Sequence, residues 1–243
     1  FDFAIKTSAG SLSPRTKFKD LAKFSLKLPS KPDDQKRIAD LLWSIDGAIE
    51  YWNNVVDRLD TLFRSLMKQR LNPYKTDEIK IKELLRKSSE FNVGKIQQAE
   101  YKKIGKFPII DQSKVEIAGY SDNAELLYSG DLPVLVFGDH TTEIKFIDHP
   151  FILGADGTKV ILPKDSVNPK YLFFAIRNLN LKPVGYRRHF PILKDCKIKV
   201  PEISKQNEIV KELDSVLIER LPITKNIAYL KDIQRGIIDQ IFG

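Results

Sequence analysis

From Ile38 onward, apolar residues return at alternating steps of three and four: Ile38, Leu41, Ile45, Ala48, Trp52, Val55, Leu59, Leu62 and Leu66. A seam of this kind held over four heptads predicts a long helix. Leu42, Ile49, Val56 and Phe63 widen the seam, so the helix is expected to pack on more than one neighbour. Pro32 suits the first turn, where its missing N–H costs nothing. Asp33 and Asp34 suit the positive end of the helix dipole, and Asn72-Pro73 ends the pattern. At about 1.5 Å per residue, roughly 38 residues make a rod of about 57 Å.

A second, less regular helix is predicted near the C-terminus. Ile209, Val216, Ile223, Leu230 and Ile237 keep a seven-residue step, whereas Glu212, Glu219 and Asn226 interrupt the seam. Leu213 and Ile227 take up the burial one place along. Pro222 is expected to kink or split this helix. The natural partner of each helix is the other, or its copy in a second chain.

Between the helices the period changes. Residues 78–84 (EIKIKEL) alternate like a strand, and LPVLVF (132–137), EIKFI (143–147) and KVILP (159–163) read as short strands punctuated by glycines. NPKYLFFAIRNLN (168–180) reads as a helix capped by Asn168, with Pro169 at its first position. The fold class predicted is α+β: a compact mixed domain plus two long helices forming an antiparallel coiled coil.

The two helices share a lead-in. KLPSKPDDQKRIADLL (27–42) and KVPEISKQNEIVKEL (199–213) both give a basic residue, an aliphatic residue and a proline, then Gln35 or Gln206 and Ile38 or Ile209. The likeness extends backward: Arg15 matches Arg187, Phe18 matches Phe190, Leu21 matches Leu193 and Pro29 matches Pro201, while FAIK at Phe3–Lys6 echoes FAIR at Phe174–Arg177. The offset stays at 171 or 172 residues, with one residue of slack. A constant offset of this kind marks an internal repeat.

Composition narrows the function. One cysteine, Cys196, rules out an internal disulfide framework and fits a reducing, cytoplasmic setting. No apolar run is long enough to cross a bilayer and no signal peptide is visible, so a membrane is not expected as a partner. The chain begins at Phe1, which suggests a fragment. The net charge is +8, and its excess lies outside the predicted helices. Residues 77–200 hold 20 basic and 16 acidic side chains, whereas residues 201–243 hold 6 and 7. Such a balance suits an anionic partner, or a solvated basic surface.

Candidate chemistry is sparse. Asp139, Glu143 and Lys145 are residue types that a magnesium-dependent nuclease uses to hold a metal and activate water. Only three residues separate the aspartate from the glutamate, too few for the usual hairpin between them. His140, His149, His189 and Cys196 lack metal-ligand spacing, and no phosphate-binding loop or nucleophile elbow is present. No catalytic residue, metal or cofactor is therefore expected. Three polar, basic loops fit nucleic acid better. GKIQQAEYKK (94–103) offers Lys95, Gln97, Gln98, Lys102 and Lys103; the turn 139–145 offers His140, Thr141, Thr142 and Lys145; GYRRHF (185–190) offers Arg187, Arg188 and His189. Glutamine can pair with adenine, and arginine with guanine or phosphate. Gln97, Gln98, Thr141 and Arg187 are the candidates for bases. Lys102, Lys103, Lys145, Lys159 and Arg188 are the candidates for phosphates, and either histidine suits both roles.

The lead-in Leu28-Pro29, Gln35–Ala39 and Leu42–Asp46, the stretches VLVFGDHTTEIKFI (134–147) and FILGADGTKVI (151–161), GYRRHF, and the helix ends SLMKQRL (65–71) and GIIDQIFG (236–243) resemble the DNA specificity subunit of type I restriction–modification enzymes. That family carries two target recognition domains and two long helices related by a pseudo-twofold axis. The resemblance implies the tail of a first recognition domain at 1–29, a spacer helix at 30–76, a complete recognition domain at 77–200 and a second helix at 201–243. It also implies an antiparallel coiled coil that holds the recognition domains apart and docks methyltransferase subunits, with restriction subunits outside them. Double-stranded DNA is then the ligand, and two copies of the chain are a possible complete reader. A spacer of about 57 Å would cap the distance between two short words near 17 base pairs, at about 3.4 Å each. The competing readings are the nuclease using Asp139, Glu143 and Lys145, and a structural coiled-coil adaptor whose middle domain binds protein.

Overall fold

The computed structural model describes residues 8, 15–23, 28–72, 77–86, 94–155, 157–185 and 187–242. The FAIK stretch at Phe3–Lys6, matched above to FAIR, lies outside them. Five helices stand among the described residues: α1 (Phe18–Leu21), α2 (Pro32–Leu71), α3 (Pro169–Asn178), α4 (Phe190–Asp195) and α5 (Ile203–Phe242). The two long ones, α2 and α5, have 40 residues each. Pro222 does not split α5. The carbonyl that proline leaves without a donor belongs to Ile218, a residue 63% exposed, on the water-facing side of the helix.

Contacts divide the chain into two units, one comprising residues 59–219 and the other residues 1–58 with 220–243. In the smaller unit Ile45 and Ile227 are buried, and Gln234 Nε2 donates to Asp46 Oδ1 at 2.6 Å, tying the first half of α2 to the end of α5. Phe18 and Leu21 of α1 are exposed in this unit, at 82% and 44%.

In the larger unit the end of α2 meets the start of α5: Arg70 Nε lies 2.6 Å from Glu212 Oε2, and Lys199 Nζ donates to Asn72 O at 2.8 Å. The end of α2 therefore lies beside the start of α5 in this unit. The buried residues here are Phe63, Met67 and Leu71 rather than the seam position Leu62, which is half exposed. They turn toward the α+β domain, and Ile209, Leu213 and Val216 join them in the same core. Both helix ends thus belong to the domain's packing.

Among the described residues, nine short strands form three sheets. β1 (Glu78–Lys80) pairs antiparallel with β9 (Lys197–Lys199). β2 (Lys95–Ile96), β3 (Phe107–Ile110), β4 (Gly119–Ser121) and β7 (Ile152–Gly154) form a mixed sheet in the order β2-β7-β3-β4. β5 (Val134–Gly138), β6 (Ile144–Ile147) and β8 (Thr158–Ile161) form an antiparallel sheet with β5 at its centre. Every residue of β5 is buried because both faces are covered. Leu135 and Phe137 face α3 and the long helices, whereas Val134 and Val136 face the mixed sheet through Ile110, Phe151 and Leu153. Three layers result: helices, three-stranded sheet, four-stranded sheet.

The alternation at 78–84 is only partly a strand. After β1 the chain forms a 3₁₀ turn, Ile81–Leu84, which brings Ile81 and Leu84 to the same buried side, and the Ile81 N–H bonds Cys196 O at 2.9 Å. Asn168 caps α3 as expected: its side-chain oxygen accepts from the N–H groups of Lys170 and Tyr171 at 2.8 and 3.1 Å. Replacing Asn168 by alanine is expected to cost about 1 kcal/mol, read as a shift in the urea-unfolding midpoint with unchanged slope.

Candidate nucleic-acid interface

The turn between β5 and β6 is built by its backbone. Gly138 N–H bonds Glu143 O at 2.8 Å and Thr142 N–H bonds Gly138 O at 2.8 Å. Thr142 adopts φ 59°, a left-handed conformation that its hydroxyl helps hold by donating to Leu181 O at 2.8 Å. Thr141 Oγ1 donates to Gln112 O at 2.6 Å, and the His140 N–H reaches Gln112 Oε1 at 3.3 Å. The turn is therefore fastened on one side to loop 111–118 and on the other to the segment after α3. Gly157 completes the join. Its φ is +70°, and a Cβ there would lie 2.6 Å from Gln112 Oε1 and 2.8 Å from His140 Cδ2, so only glycine fits without displacement.

The third loop is anchored from beneath. His189 is 3% exposed and Asp139 2%. His189 Nε2 accepts the Val184 N–H at 3.0 Å, so in this arrangement Nδ1 carries the proton and donates to Asp139 O at 2.9 Å. The Asp139 carboxylate accepts the Phe190 N–H at 2.7 Å, at the start of α4. These bonds leave Arg187 and Arg188 exposed, with no hydrogen bond or ion pair among the described residues.

The first loop reaches the same region through Lys95, whose Nζ approaches Thr158 O at 3.5 Å, next to Gly157. Gln97 and Gln98 are exposed on a 3₁₀ turn held by Gln97 N–H donating to Glu100 Oε1 at 3.2 Å. Lys102 Nζ is 2.8 Å from Asp122 Oδ2, and that contact, with the Lys106 N–H, holds the Asp122 carboxyl below the usual carboxylate range. Lys103 is exposed and Lys159 half-buried.

The structure thus sorts the residues singled out in the sequence. Gln97, Gln98, Lys103, Arg187 and Arg188 are presented to solvent. Thr141, Thr142 and His189 spend their polar atoms inside the protein, where they fix the loops. Lys145 does the same: its side chain is 10% exposed and its Nζ donates to Val115 O at 2.6 Å, with Asp111 at 3.8 Å. Burial lowers the Lys145 pKa, against the pull of Asp111, Glu143 and Glu116. Sequence reasoning missed loop 111–118, which supports the turn. The polar run DQSK (111–114) directly after the apolar FPII was its one signal. Asp139, proposed as a metal ligand in the nuclease reading, is instead a buried cap on α4. Among the described residues no group of three His, Cys, Asp or Glu side chains could hold a metal ion.

The mixed α+β fold with two long helices is similar to that of type I restriction–modification specificity subunits. The S subunit of the type I restriction–modification system of M. genitalium is similar with a TM-score of 0.69, over 98% of this chain and 68% of that one, at 15% identity. A chain from a structure on complex assembly and conformational transition of the type I R-M system gives 0.55, over 99% and 68%, at 15% identity. The HsdS subunit from Thermoanaerobacter tengcongensis gives 0.52, over 99% and 67%, at 14% identity. At these identities the likeness is one of fold. No protein-family model matches the sequence, and no curated protein is significantly similar to it.

Proposed function

We propose that this chain is a DNA-recognition component of a type I restriction–modification system, with no chemistry of its own. The observation that carries the reading is the anchoring of the 139–145 turn on Gln112 and of the 184–190 segment on Asp139, beside exposed glutamine, lysine and arginine side chains. Gln97, Gln98 and Arg187 then read base edges, and Lys103, Lys159 and Arg188 meet phosphates. His189, Asp139, Thr141, Thr142 and Lys145 hold those groups in place. The long helices act as the spacer and the dock for methyltransferase subunits, with restriction subunits joining through the complex. Residues 77–200 serve as one recognition domain and 1–29 as the tail of another, and two half-sites are read by two recognition domains, which a second copy of the chain would also supply. A cytoplasmic setting follows from that role. No helix among the described residues is long and apolar enough to cross a membrane.

The test is a mobility shift of purified chain on random-sequence duplex across a salt series. With three phosphate contacts the slope of log K against log salt is expected near about −3, and repeated selection should enrich one short word. No binding at low salt would favour the protein-binding adaptor. Magnesium-dependent cutting of plasmid, lost on Glu143→Ala, would establish the nuclease instead.

A further inference from the structure

Both long helices begin with the same side-chain bond. Gln35 Nε2 donates to Pro29 O at 2.7 Å, and Gln206 Nε2 donates to Pro201 O at 2.8 Å. The repeat seen in the sequence is thus a repeat of a physical device, a glutamine folding the lead-in back against the first turn of its helix. The surroundings differ. Gln35 is exposed, whereas Gln206 has no exposed surface.

The rest of the Gln206 amide is spent on the recognition domain. Its Nε2 also donates to Ser166 O at 3.1 Å, and its Oε1 accepts the Asn168 N–H at 2.8 Å. Asn168 is the cap of α3, and its Nδ2 donates to Asn207 Oδ1 at 2.8 Å. One buried side chain therefore ties three backbone segments: the lead-in to α5, the turn before α3, and the first residue of α3's cap. An apolar side chain of the same size would fill this space without the cost of desolvating an amide. What the amide adds is direction, because its donors and acceptor are satisfied in one geometry only.

We propose that Gln206 is a positioning residue that sets the angle at which the recognition domain sits on α5, and through it the gap between the two DNA words a complete reader accepts. The proposal rests on the DNA-recognition reading for its second half; its first half stands on the protein alone. Small rotations at the base of the domain become displacements of the exposed loops at its far side, and one base pair corresponds to about 3.4 Å of duplex.

Two variants test it. Gln206→Met keeps the volume and loses every bond; Gln206→Glu keeps the shape and the acceptor but loses both donors. Spin labels are placed at cysteines introduced for Lys103 and Glu219, in a Cys196→Ser background, and their distance distribution is measured. A narrow distribution is expected for the parent and a broadened or shifted one for both variants, without loss of cooperative unfolding. Duplexes then carry two inverted copies of the selected word at gaps stepped by one base pair. The parent should prefer one gap by about tenfold. The variants should bind a single word within about twofold of the parent yet lose most of that preference. An unchanged distance distribution overturns the proposal, as does failure of both variants to fold, which would make Gln206 a requirement of folding. Broadened distances with an unchanged gap preference, or a parent with no gap preference, overturn its DNA half. A parent that selects no word at all removes the DNA-recognition reading and leaves the distance result standing by itself.

Discussion

Phe174→Ala is expected to destabilise the larger unit by about 3–5 kcal/mol. Phe174 lies on α3 with no exposed surface. Its ring meets Phe63 of α2 edge-on at 5.7 Å and the neighbouring Phe173 at 5.3 Å. Truncation removes the ring from the junction where sheet, short helix and long helix share one core, and leaves a cavity that helices anchored elsewhere cannot close. For a unit of this size the loss corresponds to a fall in melting temperature of roughly 10 °C. Chemical denaturation of parent and variant checks it. A cost below about 1 kcal/mol would mean that α2 does not pack into the domain as described.

The second large effect is on binding. Arg187→Ala combined with Arg188→Ala should weaken association with the selected duplex by about 30-fold, at about 1 kcal/mol or more for each lost contact. The salt slope should fall by about 1 to 2. Both side chains are exposed and bond to nothing else described, so the melting temperature should stay where it was. Fluorescence anisotropy at several salt concentrations separates the two readouts. Unchanged affinity would remove the 181–189 segment from the interface.

The features that sequence made legible are those whose cause is local. The seam of α2 follows from period alone, the cap of α3 from Asn168 and Pro169, and β5 from an unbroken apolar run. The repeat was legible too, because it needs only the chain compared with itself. The rest depends on partners far along the chain. That His189 is buried rather than offered to DNA depends on Asp139, 50 residues earlier. That Lys145 is spent inside depends on Val115, 30 residues earlier. A basic or polar residue in a loop looks the same in sequence whether it supports the loop or projects from it. Strands β3 and β7 were missed for a related reason: Pro108 interrupts the pattern of β3, and β7 has only three residues in which a period could show. At Pro222 the helix runs on without a break, so the split that the local rule allowed does not occur.

The pairing of β1 with β9 has a wider consequence. Glu78 stands opposite Lys199 and Lys80 opposite Lys197, so the polypeptide leaves for the α+β domain and returns from it through one two-stranded neck. Partners across such a ladder lie about 5 Å apart. The whole stretch beyond the neck is thus an excursion with adjoining ends, and a chain can accept a different excursion there without altering the length or phase of either rod. Exchange of the α+β domain, by recombination or by design, needs a replacement whose own ends meet at the same clasp and whose base packs on Phe63, Met67, Leu71, Ile209, Leu213 and Val216.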